Sequence, residues 1–199
     1  MSNQIDPEVM EKLLKLLDKP YKRAKLGILN LESKSKKYSF SQILQLRDAL
    51  DHISIALVEH SGEKEKQLKS LDLAEDHLRR ASIESIEILV TELFFSMLGL
   101  LEKPRIYYKF AFCPLPEKYK IDAQLKKIEY HLKRGRQLKG KIDDWELCLM
   151  EFEKAYNETV ILKNLLPHSN EAKYRFFVIL ITIMAFTVSV AVAVISHFV

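Results

Sequence analysis

The chain is poor in residues that interrupt helices and in residues that cross-link them. Its 199 residues include only five glycines, six prolines and two cysteines. Scarce glycine and proline argue against a turn-rich β-sandwich and are typical of long helices. Two cysteines are too few for a disulfide framework, so we interpret Cys113 and Cys148 as reduced thiols of a cytosolic compartment. The sequence predicts an all-α fold.

Charge is missing from one stretch near the C-terminus. Residues 176–196 have the sequence FFVILITIMAFTVSVAVAVIS, without Asp, Glu, Lys or Arg. A helix of this length spans about 32 Å, close to the thickness of a bilayer core. Lys173 and Arg175 precede it, and such residues favour the cytoplasmic side. We predict a single-pass anchor over 173–199, inserted after translation as in tail-anchored proteins, and a cytoplasmic domain over 1–172. If the source is bacterial, the membrane is the inner one.

Small residues recur along the predicted anchor. Ala185, Ser189 and Ala193 are spaced four apart and therefore share a helix face. Small side chains let helices approach closely in lipid, and hydroxyl groups can bond across such contacts. The pattern favours a homo-oligomer held by this face. The alternative is that Ala and Ser are simply common in anchors.

The predicted cytoplasmic domain is a bundle of about five helices. Asp6 and Pro7 are typical of a helix start, and Pro20 is expected to end the first helix. Ser39 is expected to cap the third helix, whose predicted buried stripe is Phe40, Ile43, Leu46 or Leu50, Ile53 and Leu57.

Two longer helical regions follow in the second half of that domain. Residues 63–100 contain no proline and predict one long helix. Residues 103–116 are rich in aromatics and prolines and predict a connector. A further helical region over 117–166 is expected to be interrupted near Gly135 and Gly140.

One short pattern carries a chemical mechanism. Arg47 and His52 are separated by four residues within the predicted third helix, with the polar Asp48 beside the arginine. An ordinary helix surface could produce the same residues, because Arg47 can pair with Asp51 and Asp48 with His52 at i,i+4. The charged segment 75–80 contains His77 and could lie across from His52. Without a second His or Cys at ligand spacing, we predict no metal there.

The Arg47 and His52 pattern resembles the R-x4-6-H motif of the HEPN superfamily, in which Arg and His of two protomers meet at a dimer interface and cut RNA. The resemblance implies phosphate and transition-state stabilisation by Arg47 and acid–base assistance by His52. Together with the anchor, the motif is similar to membrane-anchored accessory proteins of type VI-B CRISPR systems. That resemblance implies assembly in the inner membrane and a stronger RNA-guided antiviral response, with membrane permeabilisation as one route.

A basic strip lies in the region 118–141. Such a strip attracts RNA phosphates or anionic headgroups without sequence specificity, although lysines at helical spacing also occur on ordinary solvated faces. Its residues are Lys126, Lys127, Lys133, Arg134, Arg136, Lys139 and Lys141.

The resemblance implies an oligomeric, membrane-anchored effector or accessory protein of antiviral (CRISPR-type) defence, with a membrane-permeabilising pore as one form of its action. The alternatives are a membrane-tethered HEPN endoribonuclease and a tail-anchored scaffold that binds another protein. A non-enzymatic role is favoured over the nuclease. The expected partners are membrane lipid, further copies of the chain, and RNA or an RNA-guided effector protein. No cofactor and no small-molecule substrate are predicted, since phosphate-loop and metalloprotease motifs are missing.

Overall fold

The computed structural model describes residues 5–35, 40–102, 117–140, 144–166 and 169–198. Within these ranges every regular element is helical, in the order α1 Pro7–Leu16, α2 Lys22–Ser35, α3 Phe40–Ser54, α4 Lys64–Glu102, α5 Lys118–Leu138, α6 Trp145–Leu165 and α7 Ser169–Phe198. A π-helical turn at Leu17–Tyr21 joins α1 to α2, and a second at Ile55–Glu59 extends α3. The all-α prediction is confirmed, and the described part of the chain has six helices before α7, where about five were predicted.

The first helix starts where the sequence predicts, and its α-helical pattern is interrupted around Pro20, as predicted. The Asp6 side chain accepts a hydrogen bond from the Glu8 amide at 2.9 Å, and Pro7 occupies the first turn, where its missing N–H costs nothing. The chain stays helical through Pro20. This proline lies buried inside the π-helical turn, a change of hydrogen-bond pattern that accommodates a residue without an N–H donor.

The long helix α4 organises the bundle. Its N-terminal half packs against α1, α2 and α3, where Leu16, Ala24, Ala49, Ala74 and Leu78 form one buried cluster. Its C-terminal half packs against α6 and contributes to a second, larger cluster. The predicted helix over 63–100 is therefore confirmed. It is the longest described helix, and it contributes residues to both buried clusters.

The buried face of α3 differs from the predicted stripe. Phe40, Ile43 and Leu50 are exposed, and Phe40 retains 72% of its accessible surface. Leu46 and Ile53 of the predicted stripe are half-buried and pack against the core. The fully buried positions are Gln42 and Ala49, followed by Ala56 in the π-helical extension. The small side chains of Ala49 and Ala56 let α3 approach α4 closely.

The helices α5 and α6 pair in antiparallel fashion. Gly135 lies in the interior of α5 and does not interrupt it as predicted. Its missing side chain leaves room for the Phe152 ring, because a Cβ atom at this position would come within 2.9 Å of that ring. Helix α5 instead ends before Gly140, as predicted. Cys148 is buried and donates a 3.2 Å hydrogen bond to the Gly135 carbonyl oxygen, and burial raises the pKa of its thiol to about 11. Cys113 and the predicted connector over 103–116 lie outside the described residues.

The last helix differs from the others in composition and burial. Residues Lys173–Val194 of α7 are long and apolar enough to cross a bilayer, and none of the side chains in their most apolar window is buried. Within the described residues this is the only helix with that property. A core helix of a soluble protein would be covered by its neighbours, and α7 is not.

Candidate functional site

Two histidines meet between α3 and α4. The rings of His52 and His77 stack with centroids 5.3 Å apart and planes inclined by 21°. The neighbouring Ala49 and Ala74 are fully buried, which brings the two helices close enough for this contact. The expectation that the segment around His77 lies across from His52 is met.

The partners of His77 favour its neutral form. Its Nδ1 lies 2.8 Å from Gln45 Oε1, an acceptor, so in this amide orientation Nδ1 carries the proton. Burial lowers the pKa of His77, and the adjacent His52 lowers it further. These surroundings therefore favour the uncharged imidazole of His77.

Arg47 forms an ion pair with its neighbour Asp48. Its Nε and Nη2 atoms donate to the same oxygen of Asp48, at 3.0 and 2.6 Å, and its side chain is largely exposed. These bonds hold the pKa of Asp48 below its ordinary value, and His77 and His52 lower it further. The Arg47–Asp48 pair therefore lies within electrostatic reach of the stacked histidines.

The described residues of the predicted basic strip lie on α5 and its C-terminal cap, and two of them pair with α4. Arg136 Nε lies 2.9 Å from one carboxylate oxygen of Glu87, and Lys139 Nζ lies 2.8 Å from the other. Burial alone would raise the pKa of Glu87, but hydrogen bonds from Lys139 and Arg136 outweigh it and lower the pKa. The two cations thus fasten α5 to α4. No sequence pattern distinguished Glu87 from the many other acids of α4.

The other strip residues have three different environments. Lys127 and Arg134 each lie 3.9 Å from a glutamate of α6. Lys126 and Lys133 are exposed on α5. Lys141 lies outside the described residues. Only part of the predicted strip therefore presents cations to solvent.

A buried acid joins α5 and α6 and was not predicted. The Glu151 side chain is 4% exposed and lies 2.7 Å from His131 Nδ1 and 2.9 Å from Lys154 Nζ. Burial would raise its pKa, but the hydrogen bonds from His131 and Lys154 hold it below the ordinary value. An ionised, paired carboxylate at this position orients the two helices.

A groove of about 930 Å³ lies between α1, α4 and the start of α6. Some of its charges are paired: Lys12 pairs with Asp72, and Arg79 pairs with Glu75 at 2.6 Å. The Arg79 guanidinium also lies 4.9 Å from the centre of the Trp145 ring. Six acidic and four basic side chains of the described residues line the groove, so its net charge is negative and it offers no anion site.

The three small residues of α7 are exposed along its length. Ser189 Oγ donates a 2.8 Å hydrogen bond to the Ala185 carbonyl oxygen one turn earlier, so this donor is satisfied within the helix. Its oxygen still has acceptor capacity, and Ala185, Ser189 and Ala193 leave a shallow face. The face is suited to close helix contact.

Metal and family comparisons add no further assignment. Among the described residues, no group of three or more His, Cys, Asp or Glu side chains could hold a metal ion. No family model, curated protein or solved structure matches this chain. The features of the molecule that suggest a function are therefore α7, the pair Arg47 and His52, and the cavities of the bundle.

Proposed function

We propose that this chain is a membrane-anchored helical-bundle protein whose helix α7 crosses the bilayer. One observation carries the proposal: the apolar window within Lys173–Val194 has no buried side chain. In water this helix would expose a continuous apolar surface far larger than soluble monomers tolerate. In a bilayer the same surface is solvated by lipid, and the helix satisfies its own backbone hydrogen bonds. Lys173 and Arg175 favour a cytoplasmic bundle.

The anchors associate through the face of Ala185, Ser189 and Ala193. A single helix encloses no conducting path, so permeabilisation requires several copies. Ser189→Leu places a bulky side chain in this face and should lower the mass of the detergent-solubilised oligomer, measured by light scattering with detergent correction. Resistance to alkaline extraction should be unchanged, because leucine increases the apolar surface.

The matched control for this substitution is Ala191→Leu. Residue 191 lies about 200° around the helix from residue 189, so the same kind of change falls on the far side. Its oligomer mass should equal that of the unmodified chain. Equal masses for all three proteins would place assembly in the bundle, and extraction of the unmodified chain by alkali would contradict the anchor.

The role that we propose for the anchored bundle is that of an accessory or effector protein of antiviral defence. Its support is the resemblance of Arg47 and His52 to the HEPN motif, combined with an anchor. Arg47 is exposed and can contact RNA or an RNA-guided protein, whereas His52 faces α4. Because nothing else in the sequence resembles a nuclease site, we expect binding or assembly and no RNA cleavage.

Phage challenge of cells that carry the complete defence locus tests this role. Arg47→Ala and His52→Ala should each abolish protection while leaving helicity and membrane attachment intact. Lys25→Ala, which removes an exposed cation of α2, is the control and should protect normally. Full protection by both variants would remove the HEPN interpretation. Cleavage of single-stranded RNA that is lost in His52→Ala would favour the tethered ribonuclease.

A further inference from the structure

A separate cavity of about 410 Å³ lies where α2, α4 and α6 converge. Two lysines from distant parts of the sequence line it, Lys34 of α2 and Lys163 of α6. None of its described lining residues is acidic. The cavity beside Glu84 and Glu87 and the groove beside α1 both contain carboxylates. Its lining therefore carries net positive charge.

The two ammonium groups are available to a ligand. Lys34 Nζ donates to the Tyr156 hydroxyl and lies 4.5 Å from the centre of the Tyr156 ring, which positions it without neutralising it. Lys163 is exposed and has no ion-pair partner among the residues that the structure describes. Asn164 adds an amide to the same rim. Ammonium, hydroxyl and amide donors around one space are the groups that bind a phosphate.

The floor of the cavity is apolar. Leu93 and Met97 of α4 and Val160 of α6 line it, and Met97 is only 7% exposed. An inorganic phosphate gains nothing from such a floor, because it has no apolar surface to bury. A phosphate carried on a glycerol and acyl chain can use both parts of the cavity.

The position of the cavity relates it to the anchor. Lys163 lies in the last turn of α6, and α7 begins at Ser169. The six residue steps between them span at most about 20 Å. This step rests on the proposed function: if α7 crosses the bilayer, the cavity lies near the headgroup layer.

We propose that this cavity binds the phosphate group of an anionic phospholipid, with Lys34 and Lys163 on the phosphate and Leu93, Met97 and Val160 against the apolar part. The ligand class is a phosphate monoester headgroup, such as that of phosphatidic acid. Tyr156 is a positioning residue that holds Lys34 at the rim. The same phosphate chemistry could come from inorganic phosphate, so the experiment separates these sources.

The test uses the purified full chain in a neutral detergent, so its outcome does not depend on whether α7 crosses a bilayer. Calorimetric titration compares dihexanoyl phosphatidic acid, dihexanoyl phosphatidylcholine and inorganic phosphate. Phosphatidic acid should bind at least about tenfold more tightly than either of the others, since only it combines a net negative phosphate monoester with apolar chains. Equal binding of inorganic phosphate would overturn the lipid assignment. Equal binding of phosphatidylcholine, whose phosphate is a diester neutralised by choline, would overturn the assignment to an anionic monoester headgroup.

Matched variants locate the site. Lys163→Gln and Lys34→Gln should each weaken phosphatidic acid binding about tenfold, the effect of removing one charge-assisted hydrogen bond. Lys25→Gln removes an equivalent charge from the exposed face of α2, away from the cavity lining, and should leave the affinity unchanged. Unchanged Trp145 emission without lipid verifies the fold of each variant. Equal weakening by Lys25→Gln and Lys163→Gln would indicate non-specific attraction and overturn the site.

Discussion

Ending the chain after residue 172 should transfer the protein completely from the membrane fraction to the soluble fraction. Each Leu, Ile, Phe or Val near the centre of a spanning helix favours insertion by about 0.3–0.6 kcal/mol, so removing all of them eliminates the driving force for anchoring. The bundle should stay folded, because the described residues with buried side chains lie between Val9 and Leu162. Ultracentrifugation of cell lysates measures the transfer, and circular dichroism of the released protein measures its helicity.

Salt distinguishes anchoring from surface attraction in this experiment. The full chain should remain with membranes after a high-salt wash, because salt screens charges and leaves apolar burial intact. A truncated chain that sediments only at low salt would indicate attraction through exposed lysines such as Lys126 and Lys133. Sedimentation of the truncated chain after the high-salt wash would contradict α7 as the sole anchor.

Replacing Gly135 with valine should lower the free energy of unfolding of the bundle by about 2–3 kcal/mol, the upper part of the range for overpacked cores. A Cβ atom at this position would lie 2.9 to 3.1 Å from three atoms of the Phe152 ring. Phe152 is itself fully buried, so its ring has no free space to enter. Urea unfolding of the full chain in detergent, followed by fluorescence of the single tryptophan, Trp145, measures the loss.

Two variants distinguish this steric effect from the general effect of valine in a helix. Gly99 also lies in a helix, but nothing comes within 4 Å of a Cβ atom there, so Gly99→Val should be nearly neutral. Adding Phe152→Leu to Gly135→Val should recover part of the loss, which a double-mutant cycle would detect. Equal destabilisation by the two valine substitutions would show that contact with Phe152 is unimportant.

Helix positions followed from the sequence more reliably than helix faces. The scarcity of proline and glycine predicted α4 almost to its ends. The face of α3 was only partly right. Leu46 and Ile53 pack against the core as predicted, but periodicity weights large apolar residues, whereas close packing against α4 selects Ala49 and Ala56. Gly135 was predicted to interrupt α5 because sequence patterns treat glycine as a helix breaker. In the structure its missing side chain makes room for the Phe152 ring.

Sites that join distant segments were mostly beyond sequence reasoning. Segment 75–80 was expected to be able to lie across from His52, and the ring stack of His77 and His52 agrees with that expectation. The cavity between Lys34 and Lys163 gave no signal, since the two lysines are far apart along the chain and neither belongs to a motif. Pairing of Arg136 and Lys139 with Glu87 was equally hidden.

The π-helical turn at Leu17–Tyr21 compensates for a change in the spacing of buried residues between α1 and α2. Val9 and Leu16 are buried seven residues apart, as are Ala24 and Leu31, but Leu16 and Ala24 are separated by eight. In an uninterrupted α-helix the additional residue would rotate α2 by about 100° relative to α1. The wider π-helical turn accommodates the additional residue without this rotation, as local unwinding accommodates inserted residues in a coiled coil. The number of residues in this turn, more than their chemical nature, therefore determines which side of α2 meets α4.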